Sequence, residues 1–335
     1  MTIPRRFLEM TFPLITLISC SVKEKTLMTF EQLLEEYFFA RLLRPDTQSC
    51  YCTAVNQYTH WRNVLPAEVT PHMVLEWRHY LLNVRCIKPV SWNHYMRHMR
   101  ALYNFAIEQG LLEQFINPFQ KTSLRESRKK KKTLTREQIL ASRKVLNQFI
   151  EREKMQRGYR SPLYPAWFWL TVVETFNYTA IRLNQLIHLR VRDIDLVHDT
   201  LFIQIEGSKS HDEHIVPIAS RLRPYLEHLL EEAKTKGIRA DDQLFNINRF
   251  SRRTLRQGKP MTENQVSYFF AKLSDACHSR FPSHRYRHTV ATELMQKPEQ
   301  NLYVTQKLLG HRDIKVTLSY IEHNVEMLRS CVERD

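Results

Sequence analysis

Glycine is scarce in this chain, with 6 in 335 residues. Tight hairpins and positive-φ turns lean on glycine, so its scarcity points to helices joined by few special turns. Apolar residues then recur at helical spacing. One stripe, opened by Met28-Thr29, carries Phe30, Leu33, Leu34, Tyr37 and Phe38. A second carries Tyr51, Val55, Tyr58 and Trp61, with Asp46 as its expected cap. Thr70-Pro71 sets a capping hydroxyl before a proline, ahead of Val74, Trp77 and Leu81. The fourth carries Met96, Met99, Tyr103, Ala106 and Ile107, and Gly110 ends it. Residues 28–120 are therefore expected to form a small four-helix domain.

The second part, residues 135–335, opens on a capping box, Thr135 with Gln138, and a helix to about Lys154. Trp167 to Phe176 reads as a buried helix. Thr200–Ile205 and His214–Ile218 are β-branched runs around a polar turn, hence a hairpin. Helices are expected near Leu222–Lys234, Glu263–Ser279, His284–Met295 and Val304–Leu309. The fold class is mainly α with a small antiparallel β-sheet, in two domains. Hydrophobic content of 43% supports a core in each.

A formal net charge of +15 favours a polyanionic partner, nucleic acid above membrane. The densest basic run, Arg128, Lys129, Lys130, Lys131 and Lys132, falls in a segment, 121–134, expected to be a linker. Like charges in a row stay extended, and such a strap suits a phosphate backbone. Six cysteines without a C-x-x-C pair, and histidines without convincing ligand spacing, lead to an expectation of no metal and of free thiols in a reducing cytosol. Residues 1–27 imitate a secretion signal through Arg5-Arg6 and the apolar run Phe12 to Cys20, which is too short to span a bilayer. Met28 is an alternative start.

Four local patterns remain. They are Thr179-Ala180-Ile181-Arg182; Lys209 between the two strands; Ser283-His284-Arg285-Tyr286-Arg287-His288-Thr289; and Leu309-Gly310-His311 leading to Thr317 and Tyr320. Singly, an arginine is more often a surface residue than a phosphate clamp, and a tyrosine at helical spacing is ordinarily packing. In this order the set resembles the tyrosine recombinases, the phage-type integrases. The resemblance implies an N-terminal core-binding domain and an α+β catalytic domain that clamp duplex DNA. It also implies strand cleavage and rejoining through a 3′-phosphotyrosyl intermediate, independent of metal, ATP or other cofactor. Implied as catalytic are Arg182, Lys209, His284, Arg287, His311 and Tyr320. The implied partners are DNA with inverted half-sites, a homodimer on each site and a homotetramer in the synapse, in the cytoplasm at the nucleoid and with no membrane.

The chemistry fits those residue types. Guanidinium groups meet the non-bridging oxygens with paired hydrogen bonds and stay protonated. A phenol that titrates near 10 needs a base or a cationic site before it attacks, and His284 is the expected acceptor. Lys209 is placed to protonate the leaving 5′ oxygen, and His311 to donate to a phosphate oxygen. Two departures stand out. Ala180 replaces a usual glycine, and a methyl is expected to fit a helix start. Gln185 stands where the family carries a supporting carboxylate, for which Asp193 could compensate. After Tyr320, Ile321, Val325, Leu328 and Val332 share a helical face suited to docking on a neighbouring protomer. Rival readings are a DNA-binding protein without activity, a type IB topoisomerase-like enzyme and, on the first twenty residues alone, a lipoprotein.

Overall fold

The computed structural model describes residues 28–113, 116–126, 131–156, 158–207, 213–251 and 258–321. The chain divides into two compact units, Met1–Arg128 and Lys129–Asp335.

In the first unit four α-helices follow one another: α1 Phe30–Arg41, α2 Pro45–Trp61, α3 Pro71–His79 and α4 Pro89–Glu108. Thr29 and Gln32 cap α1 reciprocally, each side chain bonding the other's backbone N–H. Thr70 Oγ1 accepts from Met73 N at the start of α3. The cap expected of Asp46 is absent. Helix α2 begins at Pro45 with Arg44 before it, which leaves Asp46 inside the first turn, where it still complements the helix dipole. Tyr58, Trp77, Trp92, Tyr103 and Phe119 are fully buried between the helices. The Trp77 ring meets Tyr58 edge-on at 5.0 Å. Residues after α4 return to its flank. Trp92 Nε1 donates to the Thr122 carbonyl at 2.8 Å, and Asn93 exchanges two bonds with the Leu124 backbone.

The second unit is built around α6 Ala166–Thr179, which buries nearly every side chain it carries. Helix α5, Arg136–Met155, starts at the expected Thr135–Gln138 box and packs on α6. Arg143 grips Glu174 there with a two-pronged contact, 2.6 Å at each oxygen. A short helix α7, Leu183–His188, precedes the sheet β1 Ile194–Asp195, β2 Thr200–Ile203 and β3 His214–Pro217. The hairpin thus gains a third strand, in the antiparallel order β1-β2-β3 with Leu201 opposite Val216. Leu201, Ile203 and Val216 face the core while Ile215 faces out, the alternation a half-buried sheet requires. Helices α8 Arg223–Thr235, α9 Ile247–Phe250, α10 Glu263–Ala276, α11 Ser283–Leu294, α12 Pro298–Leu309 and α13 Ile314–Leu318 complete the unit. Helix α12 starts well before the Val304 expected from apolar spacing, because Pro298 suits a first helical turn. Among the described residues, no helix is long and apolar enough to cross a membrane. Cys50, Cys52, Cys86 and Cys277 are free thiols. The apolar face expected after Ile321, apart from that residue, lies outside the described residues, as do residues 1–27.

Candidate active site

Helix α6 ends at Ala180, which adopts φ +54°. The methyl does not sit at a helix start as expected. It occupies a left-handed position that glycine fills more easily. That bend turns the Ala180 carbonyl toward α11, where it accepts from Arg287 Nη1 at 2.8 Å. Thr179, a candidate cap for α7 from its place before Arg182, instead bonds back through its hydroxyl to Thr175 O within α6. Arg182 itself holds the cap position, and its backbone N–H donates to Gln185 Oε1 at 2.7 Å. Gln185 is 1% exposed. It therefore fixes the Arg182 backbone by a neutral bond, with no carboxylate involved. Asp193 does not compensate. Its two oxygens accept from Arg190 N and the Gln204 side chain instead.

Arg287 lies on α11 and is 7% exposed. Its Nη2 donates to the Leu309 carbonyl at 2.8 Å and meets His311 Nε2 at 3.0 Å. Arg182 Nη1 reaches the same Leu309 carbonyl at 3.4 Å. Burial, then the Arg182 charge, pushes the Arg287 guanidinium down to about 10, so it stays protonated at neutral pH. Neither guanidinium has a carboxylate partner among the described residues. Paired cations that a fold does not neutralise are suited to an anion.

Gly310 ends α12 at φ +59°, and a β-carbon there would come within 2.9 Å of the His214 ring on β3. Only glycine meets both demands. It delivers His311 beside Arg287. Guanidinium can only donate, so His311 Nε2 accepts and the ring proton sits on Nδ1, 2.9 Å from Thr317 Oγ1. Burial, then Arg287, lowers His311 to about 4, which keeps it neutral. Both ring nitrogens are thus engaged in the free protein.

Tyr320 follows α13 and is 5% exposed, against Ala180, Ala291, Met295 and Leu309. Its hydroxyl lies 3.2 Å from His288 Nδ1. Burial, then His284, holds His288 down to about 4, so a neutral imidazole faces the phenol. His284, the acceptor expected from sequence, is exposed, and its ring centre lies 5.5 Å from that of His288. From sequence His288 is expected to be structural or phosphate-adjacent, with no catalytic role. It lies one turn after His284 on the same helix, and only knowledge of where Tyr320 packs picks it out.

Lys131 is the second residue the sequence placed differently. Expected on the DNA backbone, it sits in the free protein 3.2 Å above the Tyr320 ring centre and donates to Ser319 Oγ at 2.6 Å. Burial, then the Arg287 charge, lowers its ammonium to about 8. Lys132 is exposed. Lys209, Arg128, Lys129 and Lys130 lie outside the described residues. Arg182 and Arg287 therefore converge on the Leu309 carbonyl, His311 joins them through Arg287, and Tyr320 packs against Leu309.

Comparison with known proteins follows this geometry. The phage integrase family matches residues 144–327, and the phage integrase N-terminal SAM-like domain matches residues 30–113. A putative tyrosine recombinase XerC of Pseudomonas syringae is 39% identical over 303 residues, which cover 90% of this chain and 63% of that protein. One of Pseudomonas aeruginosa is 40% identical over 306 residues, covering 90% of this chain and 71% of that protein. The chain thus spans roughly two thirds of the length of these relatives. In fold it is similar to the Tn1549 transposon integrase in complex with circular intermediate DNA, with a TM-score of 0.66 and 19% identity over 92% of this chain and 100% of that one. With the family pattern spanning residues 144–327 and a relative 40% identical over 71% of its own length, the chain belongs to the phage integrase family of tyrosine recombinases.

Proposed function

We infer that this chain is a site-specific DNA recombinase that cuts and rejoins strands through Tyr320. The observation that carries this reading is the pair of unneutralised guanidinium groups, Arg182 and Arg287, bonded to one carbonyl beside a buried tyrosine. A phosphodiester replaces the Leu309 carbonyl as their acceptor. The two forks then stabilise charge on its non-bridging oxygens. The Tyr320 oxygen bonds to phosphorus, and its proton passes to His288, the neutral imidazole already at hydrogen-bond distance. The bond from phosphorus to the 5′ oxygen breaks, and Lys209 protonates the leaving oxygen. His284 and His311 donate to the phosphate, His311 after giving up one of its two present bonds.

The product is a 3′-phosphotyrosyl link and a free 5′ hydroxyl. Attack by the 5′ hydroxyl of a second duplex reverses the step and exchanges strands. Bond energy is conserved in the link, so rejoining requires no ATP. Two protomers sit on inverted half-sites and four in the synapse, in the cytoplasm at the nucleoid. The basic run Arg128, Lys129, Lys130, Lys131 and Lys132 neutralises backbone phosphates once DNA is seated. A net charge of +15 supports that partner. The domains divide this work as a helical grip, residues 28–120, and a cutting unit, residues 135–335, joined by residues 121–134.

The test is a nicked suicide duplex carrying DNA from either side of the gene. Wild-type protein leaves a covalent adduct that survives denaturation, and Tyr320→Phe leaves none. Binding with no adduct from wild type, on a duplex it protects from nuclease, would overturn the reading in favour of site occupancy alone.

A further inference from the structure

We propose that Cys50, His94 and His98 form a binding site for one divalent transition ion of zinc's chemistry in the helical unit. One ligand atom from each residue lies within 4.8 Å of the other two. His94 and His98 are one turn apart on α4, the spacing that aims two imidazoles at a common point. Their ring centres are 4.5 Å apart. Cys50 comes from α2, the helix packed against α4. The ligands thus bridge two elements that the fold already holds together.

The protonation states suit a metal. His98 Nδ1 lies 2.8 Å from the His94 carbonyl, which can only accept, so the proton is on Nδ1 and the Nε2 lone pair is free to ligate. This is the outer bond that metal-bound histidines ordinarily make, and it fixes both tautomer and ring direction. The Tyr51 ring, edge-on at 4.6 Å and bonded through its hydroxyl to Tyr37, buttresses the same imidazole. His98 is 9% exposed.

A thiolate and two neutral imidazoles are a borderline-soft donor set, matched to zinc and away from magnesium or calcium. Cys50 loses its thiol proton to solvent on binding, as a thiolate ligand must. Three protein ligands leave a fourth position open to water. The i,i+4 pair His94 and His98 is visible in the sequence, but its third ligand lies on a different helix, so the expectation of no metal is not met by this reading.

The test uses the full, untagged chain, reduced, stripped with EDTA and titrated with Zn²⁺ against a chromophoric chelator. Cobalt(II) serves as a spectroscopic probe of thiolate ligation. Wild type takes up one equivalent of zinc, and cobalt gives a thiolate charge-transfer band. Cys50→Ser abolishes the band, and His94→Gln weakens zinc binding at least about tenfold. Cys86→Ser, an exposed cysteine elsewhere in the unit, leaves both readouts unchanged. Circular dichroism checks the fold of each variant. Wild type that binds no zinc overturns the proposal whatever the variants do. So does zinc binding that persists undiminished in Cys50→Ser and His94→Gln.

Discussion

The two units spend buried side chains differently. In the helical unit the largest fully buried side chains are aromatic, Tyr58, Trp77, Trp92 and Tyr103 among them, and Trp77 meets both Tyr58 and Trp92. In the catalytic unit the neighbourhood of Tyr320 holds Arg287 nearly out of water, bonded to two carbonyls and an imidazole and with no carboxylate among the described residues. Aromatic burial stabilises a fold by a few kcal/mol per ring, whereas a buried cation without a counter-charge costs stability. The first unit is built to stay folded. The second tolerates a buried cation that costs it stability.

That contrast can be broken by substitution. In the helical unit, Trp77→Ala should lower stability by about 3–5 kcal/mol in urea unfolding, since the cavity is fully enclosed. A loss below about 1 kcal/mol would mean the aromatic cluster is not what holds the unit. In the catalytic unit, Arg287→Lys should cost about 10²–10³ in the rate of adduct formation. Lysine keeps the charge but lacks the fork that spans Ala180, Leu309 and His311. An unchanged rate would show that charge alone suffices.

Acid should sharpen the difference. His288 and His311 both titrate near 4 in the folded state, against an ordinary value near 6.5. Between those values the unfolded chain binds more protons, so the catalytic unit loses stability as pH falls from about 6.5 toward 4. Urea midpoints across that range should drop, and His288→Gln with His311→Gln should flatten the drop. The smallest effect is expected at Ala180→Gly, within about 1 kcal/mol of neutral. Relief of the left-handed strain there is opposed by loss of a buried methyl and by added freedom in the unfolded chain.

What sequence reveals depends on how local the determinant is. The caps at Thr29, Thr70 and Thr135 involve neighbours three residues apart, and each was readable as a pattern. The helical stripes were readable for the same reason. Asp46 misled because a proline one residue earlier starts the helix sooner. At the site, Arg182, Arg287, His311 and Tyr320 were legible as a set in fixed order, by resemblance. The partners of Tyr320 were not. His288 and Lys131 meet it across 32 and 188-residue-scale separations, the latter measured at its neighbour Ser319. No spacing rule reports such contacts. Ala180 was legible as a departure, but its meaning needed the backbone angle that only the fold supplies.

Tyr320 rests beneath the Lys131 ammonium with its hydroxyl tied to an imidazole. On the function proposed above, a nucleophile stored in this way is shielded from stray electrophiles and from phosphates met by chance, and each turnover begins with withdrawal of the lysine from the aromatic face. Lys131 belongs to the densest basic run of the sequence, so on that same reading arrival of the duplex and unmasking of the tyrosine draw on one electrostatic pull.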